Sequence, residues 1–470
     1  MSFISFFFLA YLFVVILVHF LLPHRFRWVW LLAASYFFYG FHNPWLLLLI
    51  FSVTLVTYLC ALGIKKFERK KKLFLILSII ISLGSLFVFK YLDFAIDSVV
   101  KFSHLFGSSW EVDALNIILP VGISFYTFQA LSYVVDVYRG KTHPEFHFGY
   151  YALFISYFPQ LVAGPIERFD RLMPQLKNER HFTAENFFSG LRYILTGYMK
   201  KVILADFLAI TVNKIFNNLG QYDGGAIAFA AILFAFQIYG DFSGYSDIAK
   251  GSSKMMGIDL MENFEAPYLA TSPRDFWRRW HISLSRWFGD YVYVPLGGNR
   301  KGKVRQCLNL FLVFLLSGLW HGANLKFIVW GAIHGMFLVV ETLLPKHQSP
   351  QNFFAKWSLR LLTFLLVDFA WIFFRANSLS DAGYAIARIF TSWDGLSGLG
   401  AFLSPAFALR LFGAFFTLAI CRYMPTVKPS ADKGNEWAFL LTAFGVFVVG
   451  LSWALTYQGG EGSAFIYFQF

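Results

Sequence analysis

The central stretch of this chain reads RDFWRRWHISLSRWFGDYVYVPLGGNRKGKVRQ from Arg274 to Gln306, then an apolar run, then LSGLWHGANLKFIVWGAIHG from Leu316 to Gly335. It concentrates arginines, tryptophans and three histidines in a chain that is otherwise mostly hydrophobic. Polar side chains are costly to place in or near a bilayer, so a cluster of them is a functional-site hypothesis. The rest of the sequence decides what surrounds that cluster.

The composition is that of a multi-spanning membrane protein. The chain has 470 residues, of which 57% are hydrophobic and 14% charged, and its mean hydropathy is +0.56. A soluble domain is about 25% charged. The formal charge of +13 is explained by Lys and Arg in short loops, which collect on the cytoplasmic side of a membrane. Because no basic soluble domain is present, we exclude nucleic acid as a partner.

Apolar runs that are long enough to enter a membrane recur along the whole chain, at about 20 residues for a full span. They are residues 3–22, 28–41, 45–62, 73–92, 117–137, 150–162, 187–216, 226–239, 308–319, 327–344, 359–374, 407–424 and 438–457. These runs predict an all-α polytopic protein with roughly eleven to thirteen membrane segments, including short, re-entrant or interfacial helices. No soluble domain is left over, so residues 1–470 are predicted to form a single integral membrane domain.

Two stretches interrupt the pattern in the middle of the chain. Tyr157–Leu176 contains three prolines and a glycine, which excludes one straight span, and its charged residues can pair among themselves. Tyr239–Gly251 is interpreted in the same way: each of the two stretches is either an interfacial elbow that holds helices together or a substrate contact. Its two aspartates are six residues apart, which is not the spacing of a carboxylate pair on one helix face. The three cysteines have no paired spacing, and we predict no metal site.

His321 is the leading candidate for a catalytic residue. A helix that starts at Arg305 would carry His321 about 24 Å inward at 1.5 Å per residue, against a hydrocarbon core of about 30 Å. Histidine titrates near neutrality and is the usual general base for a hydroxyl group. Trp320, Asn324 and the arginine-rich stretch surround it in the sequence, which favours catalysis over simple packing.

His334 repeats the local pattern of His321, since each histidine precedes the second glycine of a G-x-x-x-G pair. Such pairs let helix backbones approach closely. Thirteen residues correspond to about 220° of helical rotation, so a single site built from both histidines requires a break near Asn324. For His334 we favour a packed, hydrogen-bonded residue.

The arginine-rich stretch has two interpretations. As an interfacial amphipathic helix, it would hold tryptophans at headgroup depth and arginines at phosphates. As part of a site, a helix would make Arg278 and His281 neighbours, three residues apart. Pro295, Gly297 and Gly298 predict a tight loop, whose basic residues could meet nucleotide phosphates although its spacing is not that of a P-loop.

The motifs RWHISLSRWFGDYVYVPLGGNR and LWHGANLKFIVWGAIHG resemble the membrane-bound O-acyltransferase (MBOAT) family, in its bacterial polysaccharide O-acetylation branch. YFPQLVAGPIERFDRL, QIYGDFSGYSDIAKG and the C-terminal YFQF are similar to that branch too. The D-alanyl-transfer branch shares the RWH and WHG elements, whereas PLGGNRKG is typical of the acetylating branch.

The resemblance implies an MBOAT-like core with a funnel that opens to the cytoplasm, in the bacterial cytoplasmic membrane. It implies His321 as the active-site histidine and His281 as the second family histidine. It implies no permanently bound cofactor, acetyl-CoA or another acyl thioester as donor, a cell-envelope polysaccharide as acceptor, and an extracytoplasmic SGNH/GDSL-like partner. Candidate substrate- or donor-binding residues are Arg278, Trp280, Trp320, Asn324, Asn299 and His334.

Three other functions stay open on the residues alone. The first is D-alanyl-type transfer from a carrier-protein thioester. The second is a transporter of an acylated lipid or polysaccharide, although no inverted repeat is visible between the halves. The third is a scaffold for an envelope complex, which predicts that the histidines can be replaced without consequence.

Overall fold

The computed structural model of the chain describes residues 3–107, 119–162, 164–345, 352–393 and 404–423, together with 1, 110, 112, 115, 117, 400, 465 and 466. Within these residues all regular secondary structure is helical, which confirms the all-α prediction. The predicted span 438–457 and the C-terminal tetrapeptide 467–470 lie outside the described residues.

The described residues fall into two compact units. The first unit comprises residues 1–183, 256–261 and 322–324, and the second comprises residues 184–255, 262–321 and 325–470. Two compact units can lie in one membrane domain, so the single integral membrane domain over residues 1–470 stays a prediction.

The described residues of the first unit form nine α-helices. They are α1 (Phe6–Leu21), α2 (His24–Gly40), α3 (Leu46–Lys66), α4 (Lys71–Leu86), α5 (Leu92–His104), α6 (Ile123–Tyr138), α7 (Phe148–Ser156), α8 (Phe158–Leu161) and α9 (Phe169–Lys177). The chain breaks at Tyr157 and again before α9, as the prolines predict. Arg171 donates to the fully buried carboxylate of Glu167 at 2.7 Å, which confirms the predicted internal pairing.

In the second unit, the part of the chain that the structure describes forms ten α-helices. They are α10 (Ala184–Tyr198), α11 (Phe207–Phe216), α12 (Gly224–Met255), α13 (Pro273–Arg279), α14 (Ile282–Phe288), α15 (Gly302–His321), α16 (Leu325–Leu343), α17 (Phe353–Arg375), α18 (Leu379–Thr391) and α19 (Pro405–Tyr423). A π-helical stretch, Met199–Asp206, joins α10 to α11.

Helix α12 corrects one prediction, because Tyr239–Gly251 is not an elbow but the middle of a continuous 32-residue helix. Its glycines permit a close crossing instead of breaking the helix. A Cβ on Gly244 would lie 2.8 Å from the carbonyl oxygen of Gly197 on α10. Tertiary packing of this kind overrides the local preference of glycine for breaks.

The two aspartates of α12 are separate, as their spacing predicts, and each faces a lysine of the π-helical stretch. Lys200 Nζ lies 2.6 Å from Asp247, and Lys201 Nζ lies 2.5 Å from Asp241 and 2.8 Å from Asp206. Lys201 and Asp241 are almost completely buried. These pairs fix α12 against the α10–α11 segment.

Helices α13 and α14 correct a second prediction. Trp280 is extended and His281 has a left-handed backbone, with φ +43°, so the helix ends at Arg279. Arg278 and His281 are therefore not neighbours on one helix. Asn263 stabilises the break, since its carbonyl oxygen accepts from Ile282 N–H at 3.0 Å and its side chain accepts from the Ser283 hydroxyl at 2.7 Å.

Six helices of the described residues are long and apolar enough to cross a membrane. They are Leu46–Lys66, Glu68–His104, Gly224–Met255, Gly302–His321, Leu325–Leu343 and Phe353–Arg375. Shorter apolar helices occur at Phe7–Leu21 and Phe407–Ala419. A multi-pass membrane protein is therefore confirmed, while the count of eleven to thirteen segments stays a prediction.

Candidate active site

The site is built on the hairpin of α15 and α16. Helix α15 ends at His321 and α16 begins at Leu325, so the predicted break near Asn324 is confirmed. The two helices cross at Gly318 and Gly331, where a Cβ on either glycine would overlap a carbonyl oxygen of the opposite helix. Only glycine allows this separation.

The crossing brings His321 and His334 to the same tryptophan. The ring centroids of His321 and Trp330 are 4.9 Å apart, and those of His334 and Trp330 are also 4.9 Å apart. Both histidines are buried, with 3% and 0% of their surface exposed. The fold thus joins two histidines that one straight helix would have pointed to nearly opposite sides.

His334 has the surroundings of a packed residue. Trp277 donates from its indole N–H to His334 Nδ1 at 3.3 Å, and the Phe276 ring is stacked on the imidazole at 6.3 Å. Because Nδ1 accepts, the neutral ring carries its proton on Nε2. This geometry agrees with our interpretation of His334 as a hydrogen-bonded core histidine.

His281 is buried on another wall of the same aromatic cluster. Its ring lies 4.7 Å from that of Phe242 and 6.0 Å from that of Trp320, which in turn lies 5.0 Å from His321. Burial lowers the pKa of His281 to about 3, so its imidazole is neutral near pH 7. A left-handed backbone at a residue other than glycine costs about 1–3 kcal/mol and is concentrated at functional sites.

The tryptophans named from the sequence also belong to this cluster. Trp280 is 1% exposed, and its ring centroid is 5.1 Å from that of Trp371 on α17. Phe374, one turn further along α17, has its ring 5.5 Å from His321. Sequence analysis did not single out Trp371, Phe374, Trp330 or Phe242, since aromatic residues at helical spacing are common in any apolar core.

A cavity of about 470 Å³ lies beside α15, which is within the usual size range of ligand sites. Its lining residues are Arg274, Trp277, Arg278, Leu284, Ser285, Phe288, Gly289, Tyr293, Asn299, Gln306, Leu310, Val313, Phe314, Ser317 and Leu338. Along α15 it extends from Gln306 to Ser317, one helical turn before His321.

The cavity has a basic and polar end. Arg278 and Asn299 both line it, which brings together two candidate donor-binding residues. Arg274 is held by Glu341, whose carboxylate lies 3.8 Å from its Nε. Arg278 is exposed, and the structure gives it no salt bridge among the described residues. Its guanidinium is therefore available to an anionic ligand.

The predicted loop after α14 has the expected tight turns. Gly297 and Gly298 have φ values of +103° and +55°, and Asn309 of α15 donates to the carbonyl oxygen of Gly298 at 3.0 Å. This bond attaches the loop that carries Asn299 to the first half of α15. Asn324 lies in the 322–324 segment, which belongs to the first compact unit.

Comparison with known proteins identifies the chemistry. The model of MBOAT, the membrane-bound O-acyltransferase family, matches residues 145–380, which contain all the histidines and tryptophans of the cluster. A protein of Pseudomonas putida named "Probable alginate O-acetylase AlgI" is 39% identical over 478 residues, covering 96% of each chain.

Two further relatives carry names that refer to the transfer of different acyl groups. The "Peptidoglycan O-acetyltransferase" of Helicobacter pylori is 37% identical over 79% of this chain and 74% of its own. The "Teichoic acid D-alanyltransferase" of Bacillus subtilis is 30% identical over 52% of this chain and 61% of its own. The similarity to the acetylating relatives is therefore both higher and more extensive.

Proposed function

The chain belongs to the membrane-bound O-acyltransferase family, and we propose that it transfers an acetyl group from a cytoplasmic thioester donor to a hydroxyl of an extracytoplasmic cell-envelope polysaccharide. The proposal rests above all on His321, which is buried at the end of α15, one turn beyond a cavity with a basic end. The higher identity to acetylating relatives favours acetyl over D-alanyl transfer.

His321 is the proposed general base. As the last residue of α15 it sits at the negative end of a 20-residue helix, which favours positive charge on its ring during proton transfer. The aromatic walls formed by Trp320, Trp330 and Phe374 exclude water, so the thioester is protected from hydrolysis until an acceptor hydroxyl arrives.

The reaction balances without a redox partner or a metal ion. A ring nitrogen of His321 takes the proton of the acceptor hydroxyl while its oxygen attacks the thioester carbonyl. The carbon–sulfur bond then breaks, the thiolate leaves and receives the proton from His321, and the acetyl ester remains on the acceptor. His281, which is neutral near pH 7, acts as an orienting hydrogen-bonding group.

The donor enters from the basic end of the cavity in this proposal. Arg278 binds a phosphate of acetyl-CoA there, and Asn299 contributes hydrogen bonds from the adjoining loop. The apolar wall along α15 leads the acyl end towards Ser317 and His321. A cavity of this size holds part of such a donor, and the nucleotide end stays at the protein surface.

The charge distribution supports the proposed direction of transfer. The loop before α15 carries Arg300, Lys301, Lys303 and Arg305, which the positive-inside rule assigns to the cytoplasm. Helix α15 is about 30 Å long at 1.5 Å per residue, so in the proposed orientation His321 is towards the outer face of the bacterial cytoplasmic membrane. An extracytoplasmic SGNH/GDSL-like partner completes the modification of the polysaccharide.

The first experiment measures release of CoA from acetyl-CoA by purified protein in detergent, with alginate oligosaccharides or soluble peptidoglycan glycan chains present as acceptor. Wild type should release CoA, His321→Ala and His321→Gln should not, and His143→Ala, an exposed histidine of the 139–147 loop, should match wild type. Equal release by wild type and both His321 variants would remove His321 from the mechanism. If wild type releases no CoA, the assay is repeated with a carrier-protein thioester as donor. Movement of an acylated lipid or polysaccharide across proteoliposomes without consumption of a thioester would instead support a transporter.

A further inference from the structure

A small crevice in the first compact unit lies where the turn between α1 and α2 meets the segment after α9. It offers about 10 Å³, which is the space of one oxygen atom of a water or a phosphate. Its polar and basic lining residues are His19, His24, Arg27, Gln175, Asn178 and Arg180. We call it the α1–α2 crevice. None of the residues that the proposed acyl transfer uses lines it.

His19 forms the buried wall of the α1–α2 crevice. It belongs to the last turn of α1, and only 4% of its surface is exposed. Both ring nitrogens are buried, and neither has a hydrogen-bond partner among the described residues. A neutral imidazole has one N–H to donate, and a buried donor without an acceptor is costly. The crevice therefore presents an unpaired donor that an oxygen atom of a ligand would satisfy.

The opening of the crevice carries positive charge that the described residues do not neutralise. Arg27 donates to the carbonyl oxygen of Leu22 at 3.0 Å and to that of Arg180, and carbonyl oxygens carry no net charge. The Nε of Arg180 is buried and has no hydrogen-bond partner within the described part of the chain. The carboxylates beside the lining residues in the sequence, Glu179 and Asp259, are exposed and do not line the crevice.

The first turn of α2 adds to this positive potential. The helix begins at His24 after Pro23, and no side chain caps its first turn. His24 and Arg27 both line the crevice, so the positive end of a 17-residue helix dipole lies beside it. Helix ends of this kind favour anions. A phosphate group, with several acceptor oxygens and a negative charge, matches both the arginines and the unpaired imidazole.

The surroundings favour a phospholipid as the source of this phosphate. Exposed apolar side chains recur every four residues on α1, at Phe13, Leu17 and Leu21, and form one stripe along the helix. Phe20 lies beside this stripe, and the guanidinium of Arg27 is 5.7 Å from the centre of its ring. The α1–α2 turn is basic, and the positive-inside rule assigns it to the cytoplasmic face. Acyl chains along the stripe would place a headgroup phosphate at Arg27.

We propose that the α1–α2 crevice binds the phosphate of an anionic phospholipid in the cytoplasmic leaflet. One phosphate oxygen enters the crevice and accepts from His19, and the other oxygens accept from Arg27 and Arg180 at the opening. Basic pockets between membrane helices on the cytoplasmic side are suited to such headgroups. The bound phosphate joins two segments whose arginines are 153 residues apart in the sequence. This binding is independent of the proposed acyl transfer.

Native mass spectrometry of the full-length protein in detergent counts bound lipids during a titration with phosphatidylglycerol. Wild type should bind one phosphatidylglycerol roughly tenfold more tightly than phosphatidylcholine, whose choline cation the arginines repel. Arg27→Gln and Arg180→Gln should each weaken this binding about tenfold, the value of one charge-assisted hydrogen bond. Arg25→Gln is the matched control and should bind like wild type. Arg25 is an exposed cation of the same turn that lies over the ring of Phe26 and does not line the crevice.

A variant of His19 separates lipid binding from structural damage. His19→Leu removes the unpaired polar group, so the melting temperature without added lipid should be retained or raised, whereas phosphatidylglycerol binding should fall. Arg27 also bonds to the backbone, so Arg180→Gln and His19→Leu carry the test if Arg27→Gln does not fold.

Competition distinguishes a lipid headgroup from a free phosphate. Inorganic phosphate and glycerol 3-phosphate should not displace phosphatidylglycerol at equal concentration, because neither has acyl chains. His321→Gln should bind the lipid like wild type, so a failure of acyl transfer would leave this inference intact. Equal binding of the two lipids, wild-type binding in both Arg180→Gln and His19→Leu, or displacement by inorganic phosphate at equal concentration would overturn it.

Discussion

The α15–α16 crossing gives the sharpest single perturbation, Gly331→Ala. The added methyl group would overlap the carbonyl oxygen of Phe314 and lie 3.2 Å from the Cα of Gly318. Both neighbours are backbone atoms of a helix, which cannot rotate away as a side chain would. The helices would have to separate by about 1 Å to restore ordinary van der Waals contact.

The separation should affect stability and activity differently. Overpacking of this kind costs about 1–3 kcal/mol, which lowers the melting temperature but leaves a folded protein. His321 is three residues from Gly318, so it would move with the crossing, and a misplacement of about 1 Å at a catalytic group can cost roughly 100-fold in rate. We therefore expect a modest loss of stability and a large loss of transfer activity.

The assay pairs thermal melting in detergent with CoA release from acetyl-CoA. Gly84→Ala is the matched control, since a Cβ there meets nothing within 4 Å and the change should be neutral or slightly stabilising. Wild-type activity in a stably folded Gly331→Ala protein would refute the argument that the glycine contact sets the position of His321.

Three further predictions concern charged and titratable groups. Arg278→Ala should raise the KM for acetyl-CoA several-fold with little change in kcat, whereas Arg286→Ala, an exposed arginine outside the cavity, should not, as measured by donor titration. Lys201→Met should destabilise the fold by about 3–5 kcal/mol, because it leaves buried carboxylates without their cation, and Lys201→Met/Asp241→Asn should recover part of this loss in melting experiments. The pKa of His281 is about 3 in the folded state and 6.5 in the unfolded state, so the unfolded state binds more protons than the folded state as the pH falls below 6.5. Between pH 7.5 and pH 5, the free energy of unfolding of wild type should therefore fall by about 2 kcal/mol more than that of His281→Gln.

Of the two backbone breaks around the site, the sequence predicts the one after His321 but not the one at His281. The break after His321 follows from local signals, since Gly322 and Asn324 interrupt two apolar runs whose histidines could not otherwise meet. The break at His281 has no such signal, because RRWHIS contains no glycine or proline. It depends on Asn263, which is close in space and distant along the chain.

The contrast between local sequence signals and tertiary contacts also explains what the sequence analysis predicted wrongly or did not single out. The glycines of α12 favour an elbow when taken alone, and only the glycine-bearing face of α10 turns them into a packing surface. Trp371 and Phe374 contribute walls to the site from α17, yet their spacing is that of any buried helix face. Residue identity suggests a chemical role such as the one proposed for His321, whereas its surroundings come from tertiary contacts.

The proposed direction of transfer agrees with the position of the cavity along the α15–α16 hairpin. The cavity proposed for the donor lies along α15 from the side of the basic loop to Ser317, and His321 follows one helical turn later. In the proposed reaction, a thioester in this cavity and an acceptor hydroxyl from the opposite side of the membrane meet at His321. The acetyl group alone then needs to cross, so neither the charged nucleotide nor the polar polysaccharide has to pass through the hydrocarbon core, where the transfer of either would be prohibitively costly.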